Sequence, residues 1–469
     1  MLKKNKIPGI MLAAVKSGSG KTTLTCALLE LLKEKGLNPQ AFKCGPDYID
    51  PMFHREVIGV PSHNLDSFFA SKEQLREIYL DSMDGKGMAV VEGAMGLFDG
   101  LGGISEEGSA YHVAEILRLP IVLIVDAHGM GRSILPLLAG FLQYDEEKRI
   151  AGVILNKTSE HFYQAIAPVI EAELKLPVLG YLPKKKELAL ESRHLGLRLP
   201  EEMEDLKKQI CQAAKLVEES VSIEKLVELS GRAGNLPIAE KAVLSKGFET
   251  EVNAVVKIGI ARDEAFCFYY DDNLKLLEKT GAELVPFSPL YDTKLPEGLD
   301  GILLGGGYPE LYAKQLEQNG SMREAVRNAI AAGTPSLAEC GGFMYLHHAL
   351  EDEKGNTYTM CKVVPGKCFY TGKPVRFGYI ELEEKKPAFL SKETIIKGHE
   401  FHYYDSENNG GNCIARKPVT NRSWECVHSG KENFWGFPHL YYPSNPDFAR
   451  HFIEAVRLFQ EQKRKEAGS

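Results

Sequence analysis

The stretch from Ala13 to Thr23, AAVKSGSGKTT, constrains the fold of this chain more than any other. A short apolar run, Ile10–Ala14, precedes the loop and is typical of a buried strand. Leu24–Lys35 follows it and carries its apolar residues at helical spacing. A glycine-rich turn between a strand and a helix can surround phosphate oxygens with backbone N–H groups and a helix N-terminus. The pattern therefore predicts a phosphate-binding loop.

Within this loop, glycines 18 and 20 let the backbone turn its N–H groups inward, Lys21 would reach the β- and γ-phosphates, and the Thr22 hydroxyl would ligate Mg²⁺. The expected nucleotide-binding residues of the loop are Ser17, Gly18, Ser19, Gly20, Lys21, Thr22 and Thr23. The alternative is a flexible Gly/Ser turn before an ordinary helix. Lys16 is either a charge that acts across a dimer interface or an ordinary solvated lysine.

Composition narrows the class of protein. The 469 residues leave room for two or three domains, and 44% apolar with 26% charged residues is typical of a soluble globular protein. A net charge of −8 argues against a nucleic-acid partner. Its nine cysteines include no C-x-x-C pair, which favours a reducing cytoplasm over a zinc site or a disulfide framework. No apolar run approaches the ~20 residues of a membrane span.

A segment rich in proline and aspartate follows the second predicted strand, Gln40–Lys43. The whole segment Phe42–His54 is predicted to be a loop at the carboxyl edge of the sheet, beside the phosphates. We expect Asp47 to ligate Mg²⁺, and Tyr48 and Asp50 to face an acidic substrate. The alternative is that both aspartates only form turns beside proline.

Further polar side chains close later strands at the same edge. Glu92 ends the apolar strand Met88–Glu92 and is the expected second Mg²⁺ ligand. Asp99 lies further out, in the glycine-rich loop beyond this strand, where a substrate would approach. Asn156 ends another buried strand and would read a purine base, unless it is an ordinary strand-end residue.

Strands alternate with helices throughout the first half, which predicts a doubly wound, mostly parallel α/β sheet. Two charged amphipathic helices and a polar connector then lead to a second set of strands. The expected domains are an ATP-binding domain at 1–195, a helical segment and linker at 196–250, and a second α/β domain at 251–469.

The second half is centred on Cys340, which stands between the predicted strand Thr334–Glu339 and the predicted helix Phe343–Leu350. A cysteine in such a turn forms a nucleophile elbow, and the helix N-terminus favours the thiolate. N–H groups of Gly341 and of the glycine run after strand Asp300–Leu304 could bind an oxyanion. The expected oxyanion-hole residues are Gly306, Gly307 and Gly341. The alternative is a buried structural cysteine.

A thiolate nucleophile needs a base, and His439 is the best candidate among thirteen histidines. It follows the strand-like ENFWGFP and precedes the C-terminal helix. His399 and His402 are weaker candidates, which could be structural or line the acceptor pocket.

Seven motifs, in this order, resemble those of the cobyrinic acid a,c-diamide synthases: SGSGKTT, FKCGPDYIDP, VVEGAMGLFDG, GGGYPE, AECGGFMYL, GHEFHYY and HLYYPSNP. The first half also looks like the dethiobiotin synthetases, and the second like a class I glutamine amidotransferase domain. The resemblance implies a P-loop NTPase-type sheet followed by a flavodoxin-like α/β domain. Such amidotransferases often have a glutamate two residues after the histidine, whereas this chain has Tyr441, so the group that orients His439 is open.

The resemblance implies an enzyme that uses ATP, Mg²⁺ and glutamine to amidate the a and c carboxylates of a corrinoid acid. The position of Lys16 in the phosphate loop makes a homodimer possible. A sister family amidates nickel-sirohydrochlorin, and the motifs do not separate the two. The rivals are a nucleotide-dependent switch and a peptidoglycan-type amidating ligase.

The chemistry of the residues agrees with the resemblance. A carboxylate does not condense with ammonia at neutral pH, but phosphoryl transfer from ATP gives it a leaving group, which requires a phosphate loop and Mg²⁺. Releasing ammonia from glutamine requires a thiolate, a base and an oxyanion hole. The two halves of the chain supply one set each.

Overall fold

The computed structural model describes residues 6–185, 200–237, 255–420 and 422–467. The chain divides into two compact units, Met1–Leu244 and Ser245–Ser469. The predicted domain boundaries at 195/196 and 250/251, and the predicted connector around residue 250, lie outside the described residues.

A seven-stranded sheet in which every neighbouring pair is parallel forms the first unit, in the order β3-β2-β4-β1-β5-β6-β7. Its strands are β1 Gly9–Ala14, β2 Pro39–Cys44, β3 Ser62–Leu65, β4 Met88–Glu92, β5 Ile121–Asp126, β6 Ile150–Asn156 and β7 Val178–Leu182. The predicted doubly wound parallel sheet is confirmed. Because β1 lies between β4 and β5, the loop after β1 stands beside the ends of β4 and β2.

Helices connect these strands: α1 Lys21–Glu34, α2 Ile49–Phe53, α3 Lys72–Ser82, α4 Ala110–Leu117, α5 Ile134–Tyr144, α6 Glu160–Leu174, α7 Pro200–Ser220 and α8 Ile223–Ser230. The last two are the predicted amphipathic pair. Buried residues of α7 and α8, such as Ile210 and Leu226, share one apolar core with Leu28 of α1 and Ile10 of β1. The helical pair therefore belongs to the core of the first unit.

The prediction that Phe42–His54 is entirely a loop is wrong. Strand β2 extends to Cys44, α2 begins at Ile49, and a π-helical turn continues it over His54–Ile58. Oδ1 of Asp47 accepts hydrogen bonds from the backbone N–H groups of Ile49 (2.8 Å) and Asp50 (3.3 Å), which satisfies donors at the start of α2. Pro51 is tolerated because it lies in the first turn of the helix, where its missing N–H has no intrahelical partner.

The second unit contains a six-stranded sheet in the order β18-β19-β11-β10-β8-β9, parallel except for the edge pair β18–β19. Its strands are β8 Val256–Ala261, β9 Ala282–Phe287, β10 Gly301–Leu304, β11 Ser336–Glu339, β18 His428–Ser429 and β19 Asn433–Gly436. The loops after β10 and β11 are neighbours because these two strands pair directly. They carry the predicted glycine run and Cys340.

A second sheet, which the sequence analysis did not predict, completes the second unit. Its strands are β12 His347–Glu351, β13 Thr357–Thr359, β14 Val364–Glu384, β15 Ile395–Ser406, β16 Cys413–Arg416, β17 Ser423–Cys426 and β20 His439–Leu440. Strands β14 and β15 form a long antiparallel pair, and β20 pairs with β15 so that His439 lies opposite His399.

The helices of the second unit are α9 Asp271–Lys279, α10 Ala313–Gln318, α11 Gly320–Ala331, α12 Gly341–Leu346 and α13 Asp447–Ala467. The predicted helix Phe343–Leu350 is wrong at its end: α12 stops at Leu346, because the next residues pair with β13 and β14 as strand β12. No helix among the described residues is long and apolar enough to cross a membrane.

Candidate active sites

The loop between β1 and α1 turns through two glycines in left-handed conformations, Gly18 (φ 76°) and Gly20 (φ 92°). Within it, the Ser19 hydroxyl donates to the Lys16 carbonyl at 2.9 Å. Asn156 Nδ2 donates to the Ser19 carbonyl at 2.7 Å, and a Cβ added to Gly20 would lie only 2.2 Å from that nitrogen. Asn156, which we predicted to read a base, thus contacts the loop itself.

Lys21 and Thr22 begin α1 and point their polar groups at other strand ends. The buried Lys21 Nζ donates to the carbonyl of Met95, in the loop after β4. Burial, followed by the nearby Lys43 charge, lowers the pKa of Lys21. The Thr22 hydroxyl donates to Glu92 Oε1 at 2.6 Å, so the helix start and the end of β4 meet as predicted. Thr23 follows in α1 and is half-buried.

Lys43, which the sequence analysis did not single out, holds the centre of this site. Its Nζ lies 2.5 Å from Asp50 Oδ2 and 2.7 Å from Glu92 Oε1. The side chains of Lys43, Asp50 and Glu92 are exposed by only 7%, 8% and 0%, so solvent hardly screens these ion pairs. A sequence signal was present, because a lysine in a strand that is buried along its whole length, as β2 is, is rare unless it is paired.

Two buried carboxylates share one ammonium here, and their pKa values diverge. Burial opposes the charge of Asp50, but Lys43 outweighs it and holds the pKa of Asp50 below its ordinary value. Burial raises the pKa of Glu92 to about 7, with Lys43 opposing and Asp50 adding to the rise. Burial lowers the pKa of His54, whose Nε2 is 3.7 Å from Glu92 Oε2, to about 4.

Oxygen donors at this point fit Mg²⁺. Thr22 Oγ1 lies 2.6 Å from Glu92 Oε1 and 3.5 Å from Asp50 Oδ2, so a hydroxyl and two carboxylates converge. Hard oxygen ligands of this kind suit Mg²⁺ beside a phosphate loop. Glu92 Oε2 is buried and has no hydrogen-bond partner among the described residues, which leaves it available to a cation.

The other predicted acidic residues lie around this cluster. Asp47, predicted to be a metal ligand, uses Oδ1 to cap α2, and burial raises its pKa to about 6. Asp50, predicted to face the substrate, is instead the residue that contacts Lys43 and Thr22. Tyr48 is buried just before α2. Asp99 is exposed and accepts the N–H of Gly96 at 2.9 Å.

In the second unit, Cys340 stands between β11 and α12 with φ 46° and ψ −101°, a backbone conformation that residues with a Cβ seldom adopt. Its N–H donates to the Gly436 carbonyl at 2.9 Å, and its carbonyl accepts the N–H of Met344 at 2.9 Å. The sharp turn is the predicted nucleophile elbow in geometry. Burial raises the pKa of the thiol, and the neighbouring N–H of Gly341 opposes that rise.

The loop after β10 lies against the elbow. The carbonyl of Gly306 accepts the N–H groups of Cys267 and Phe268, each at 3.0 Å. In a trans peptide the following N–H points the opposite way, so the N–H of Gly307 is directed away from those residues. The nitrogen of Gly307 lies 3.0 Å from where a Cβ on Gly341 would be. The predicted oxyanion-hole glycines are therefore side by side.

His439 borders the same loop. A Cβ on Gly306 would lie 2.3 Å from Cε1 of His439, so only glycine leaves room for the imidazole there. Glu339, the residue before the cysteine, accepts a hydrogen bond from the Tyr442 hydroxyl at 2.9 Å, and the N–H of Leu440 favours its charged form. This buried carboxyl, which the sequence analysis missed, ties the end of β11 to the strand that carries His439.

Burial makes the cysteine site a neutral one. It raises the pKa of the Cys340 thiol, and the carboxylates of Glu310 and Glu400 add to the rise. It lowers the pKa of His439 well below the ordinary value, with His399 and His402 adding to the effect. A neutral imidazole can accept the proton of a neutral thiol as the sulfur attacks, which is general-base catalysis.

The two histidines of GHEFHYY have different surroundings. His402 Nε2 is 2.7 Å from Glu400 Oε2, and its ring stacks on Phe437 with centroids 4.2 Å apart. His399 stacks on His439 with centroids 4.9 Å apart and planes inclined by 17°. Of these two histidines, His399 is the one whose ring stacks on the proposed base.

Comparisons with known families match both units. The family described as a CobQ/CobB/MinD/ParA nucleotide binding domain matches residues 10–197, and a CobB/CobQ-like glutamine amidotransferase domain matches residues 257–437. A cobyrinate a,c-diamide synthase from Caldanaerobacter subterraneus is 40% identical and covers 96% of this chain and 98% of its own length. Enzymes of the same name from Listeria innocua and Salmonella typhimurium are 39% and 37% identical, covering 93% and 95% of this chain and 97% and 98% of theirs. This chain therefore belongs to the cobyrinate a,c-diamide synthase family, as the order of its motifs implied, and it is a ligase with a glutamine amidotransferase domain.

Proposed function

We propose that this enzyme converts the a and c side-chain carboxylates of cobyrinic acid to amides, with ATP and Mg²⁺ activating each carboxylate and glutamine supplying the ammonia. The observation that carries the proposal is the Cys340 elbow beside the Gly305–Gly307 loop and His439, in a chain that also holds a phosphate loop. The names of the full-length relatives support the choice of acceptor.

In the first unit, the proposed step is phosphoryl transfer to a carboxylate oxygen, which gives an acyl phosphate. Backbone N–H groups of the loop and the Lys21 ammonium would hold the phosphates of ATP. Thr22, Asp50 and Glu92 would hold Mg²⁺, which offsets negative charge on the phosphates when it is bound. Lys43 contacts both carboxylates. When one of them binds the metal, the Lys43 ammonium would be able to contact the acceptor carboxylate or the phosphate.

In the second unit, the Cys340 sulfur attacks the side-chain amide carbon of glutamine while His439 takes the thiol proton. The N–H groups of Gly307 and Gly341 would bind the oxyanion. The C–N bond then breaks, His439 returns the proton to the leaving ammonia, and water hydrolyses the thioester to glutamate. Ammonia attacks the acyl phosphate, and phosphate leaves.

The test offers cobyrinic acid and nickel-sirohydrochlorin separately to the purified full-length enzyme with ATP, Mg²⁺ and glutamine. Mass spectrometry then weighs the products. We expect the mass change of two carboxyl-to-amide conversions on cobyrinic acid. The same change only on the nickel compound would move the enzyme to the sister reaction. No amide on either acid, with ATP hydrolysis stimulated by a protein partner, would favour a nucleotide-dependent switch.

We infer a reducing compartment, the cytoplasm, because all nine cysteines are free thiols. We also propose a homodimer, because the exposed Lys16 of the phosphate loop could act on the nucleotide of a second subunit. Sedimentation of the wild type and of Lys16→Ala, with and without ATP, tests this proposal. A wild-type monomer under both conditions would contradict it.

A further inference from the structure

The base of the glutaminase reaction needs a neighbour that fixes its ring. In relatives of this domain a glutamate two residues after the histidine is expected there, and here Tyr441 occupies that position. The Tyr441 hydroxyl donates to Asp272 Oδ2 at 3.0 Å, so its hydrogen bond is directed at α9. The ring of His399 stacks on the face of His439. The ring of Phe268 approaches His439 at a tilt of 57°, with centroids 6.4 Å apart.

His399 is itself held from several sides. It lies opposite His439 in the β15–β20 pair, so the two side chains project from adjacent backbone positions. A Cβ on the preceding Gly398 would lie 2.4 Å from the His439 carbonyl, which shows how closely these strands approach. The Tyr270 hydroxyl is 3.3 Å from His399 Nδ1, and it fixes the rotation of the ring from the side of α9.

We propose that His399 is a positioning residue for His439: its ring face fixes the plane of the base, and the Tyr270 hydroxyl fixes His399 in turn. The inference rests on the proposed glutaminase reaction. It assigns the orienting function to an aromatic face in place of a carboxylate. A carboxylate would raise the pKa of the base, whereas a stacked neutral ring keeps the base buried and neutral.

The charges around the pair set the expected pH dependence. Burial lowers the pKa of His399 to about 3, with Lys417 and His402 adding to the effect. The titratable groups that act on the pair or lie opposite it are His402 of β15, Tyr379 of β14, Tyr270 just before α9, and Lys417 just after β16. Since His439 must be neutral to accept a proton, its lowered pKa keeps the glutaminase active below the ordinary histidine pKa of ~6.5.

Two matched variants separate ring face from hydrogen bond. His399→Phe keeps an aromatic face against His439 but cannot accept from Tyr270. His399→Asn keeps an acceptor for Tyr270 but removes the ring and admits water. We expect kcat for glutamine hydrolysis to fall about 10²-fold in His399→Asn and by no more than about threefold in His399→Phe, because a small misplacement of a base is costly. KM for glutamine should change little in both.

The pH profile gives a readout that a merely structural role would not move. In His399→Asn, water beside His439 weakens the burial effect, so the pKa of the base rises and activity at pH 6 falls relative to pH 8. In His399→Phe the ratio should stay that of the wild type. In a His439→Asn background, His399→Asn should change the remaining rate by less than about twofold, because it then has no base to position.

Failure of this inference is distinguishable from failure of the proposed function. If the wild type hydrolyses no glutamine, the proposed function is wrong. Even then, the pH dependence of Cys340 alkylation by iodoacetamide, measured on the peptide that contains Cys340, would show whether His399→Asn alters the base. If His399→Asn hydrolyses glutamine like wild type, or if His399→Phe is the more damaged of the two with equal thermal stability, His399 does not position the base through its ring.

Discussion

The phosphate-loop site and the cysteine site bury their ionisable groups in different ways. In the first, the buried ammonium of Lys43 contacts the carboxyl groups of Asp50 and Glu92, at 2.5 and 2.7 Å, and offsets their negative charge. In the second, Cys340 and His439 are buried as neutral groups, because burial raises the pKa of the thiol and lowers that of the imidazole. The first arrangement suits transfer of a charged phosphoryl group, since it keeps fixed charges where charge must be offset. The second suits proton transfer during attack on a neutral amide.

Cys340→Ala should have the largest effect, because it removes the sulfur of the cysteine site and leaves the phosphate-loop site unchanged. Glutamine-dependent amidation should be abolished, because the thioester cannot form without the sulfur. Amidation with a high concentration of ammonium salt should persist and should improve as pH rises and more free ammonia is present. The measurement is amide formed with glutamine against amide formed with ammonium.

Cys413→Ala, which removes a buried thiol of β16 in the same unit, is the matched control and should keep both activities. Glutamine activity retained by Cys340→Ala would make Cys340 a structural cysteine. Loss of both activities in a folded protein would mean that the two sites are not chemically separable.

Lys21→Ala tests the phosphate-loop site. ATP-dependent amide formation should fall by orders of magnitude, since a lysine on the transferring phosphoryl group contributes on the order of several kcal/mol. Glutamine hydrolysis should survive at least in part.

The matched variant is Lys16→Ala, which removes an exposed lysine of the same loop. Near-normal turnover would identify Lys16 as solvated, whereas a loss comparable to that of Lys21→Ala would support a charge acting across a dimer interface. Normal amidation by Lys21→Ala would overturn the assignment of the loop.

Lys43→Met tests whether the stability of the first site depends on the ammonium that offsets the charge of its two carboxylates. Removing one partner of a buried ion pair typically costs about 3–5 kcal/mol of unfolding free energy. In EDTA the loss should be larger at pH 8 than at pH 6. Without Lys43 the pKa of Glu92 rises above its wild-type value of about 7, so the folded variant must keep this carboxyl protonated, which costs more free energy as the pH rises. Added Mg²⁺ should restore part of the stability.

Denaturant unfolding measures this effect. The control is Lys35→Met, whose ammonium pairs with Glu218 at the same 2.7 Å but with both side chains 40% or more exposed, and it should show little change. Equal losses in the two variants at both pH values would contradict a compensated cluster.

The smallest expected effects distinguish the carboxylates that bind Mg²⁺ from those that do not. Glu92→Gln and Asp50→Asn should each raise the Mg²⁺ concentration needed for half-maximal amidation by roughly tenfold, because both oxygens face Thr22. Asp47→Asn should shift it less, since Asp47 contacts the backbone of α2. Asp99→Asn is the exposed control and should mainly impair turnover of the acid substrate. A larger Mg²⁺ shift in Asp47→Asn than in Asp50→Asn would restore the original prediction.

The sequence predicts the parallel sheets and the elbow because each is a local pattern. Strands such as β4 are continuous apolar runs, and the turns after β1 and β11 carry glycines at fixed positions. The relation of Asp47 to Asp50 is not local. The two residues are three apart beside a short helix, and only the three-dimensional path of α2 decides which one contacts Lys43.

The antiparallel sheet of the second unit was missed for a related reason. Strand β14 alternates irregularly between buried and exposed residues, and its register with β15 shifts twice, so no clean period of two is present. The contact between His399 and His439 depends on that sheet, since the residues are neighbours only through the β15–β20 pairing. Histidines in a motif could be noted from the sequence, but their partners could not.

The left-handed backbone at Cys340 has a consequence for how this domain can change under selection. A non-glycine residue in a sparsely populated conformation typically costs on the order of 1–3 kcal/mol. Selection for thermal tolerance alone would therefore favour glycine at the elbow and discard the nucleophile. The second unit gives up folding stability at its proposed nucleophile, and thermostable variants of this enzyme would have to be sought at other positions.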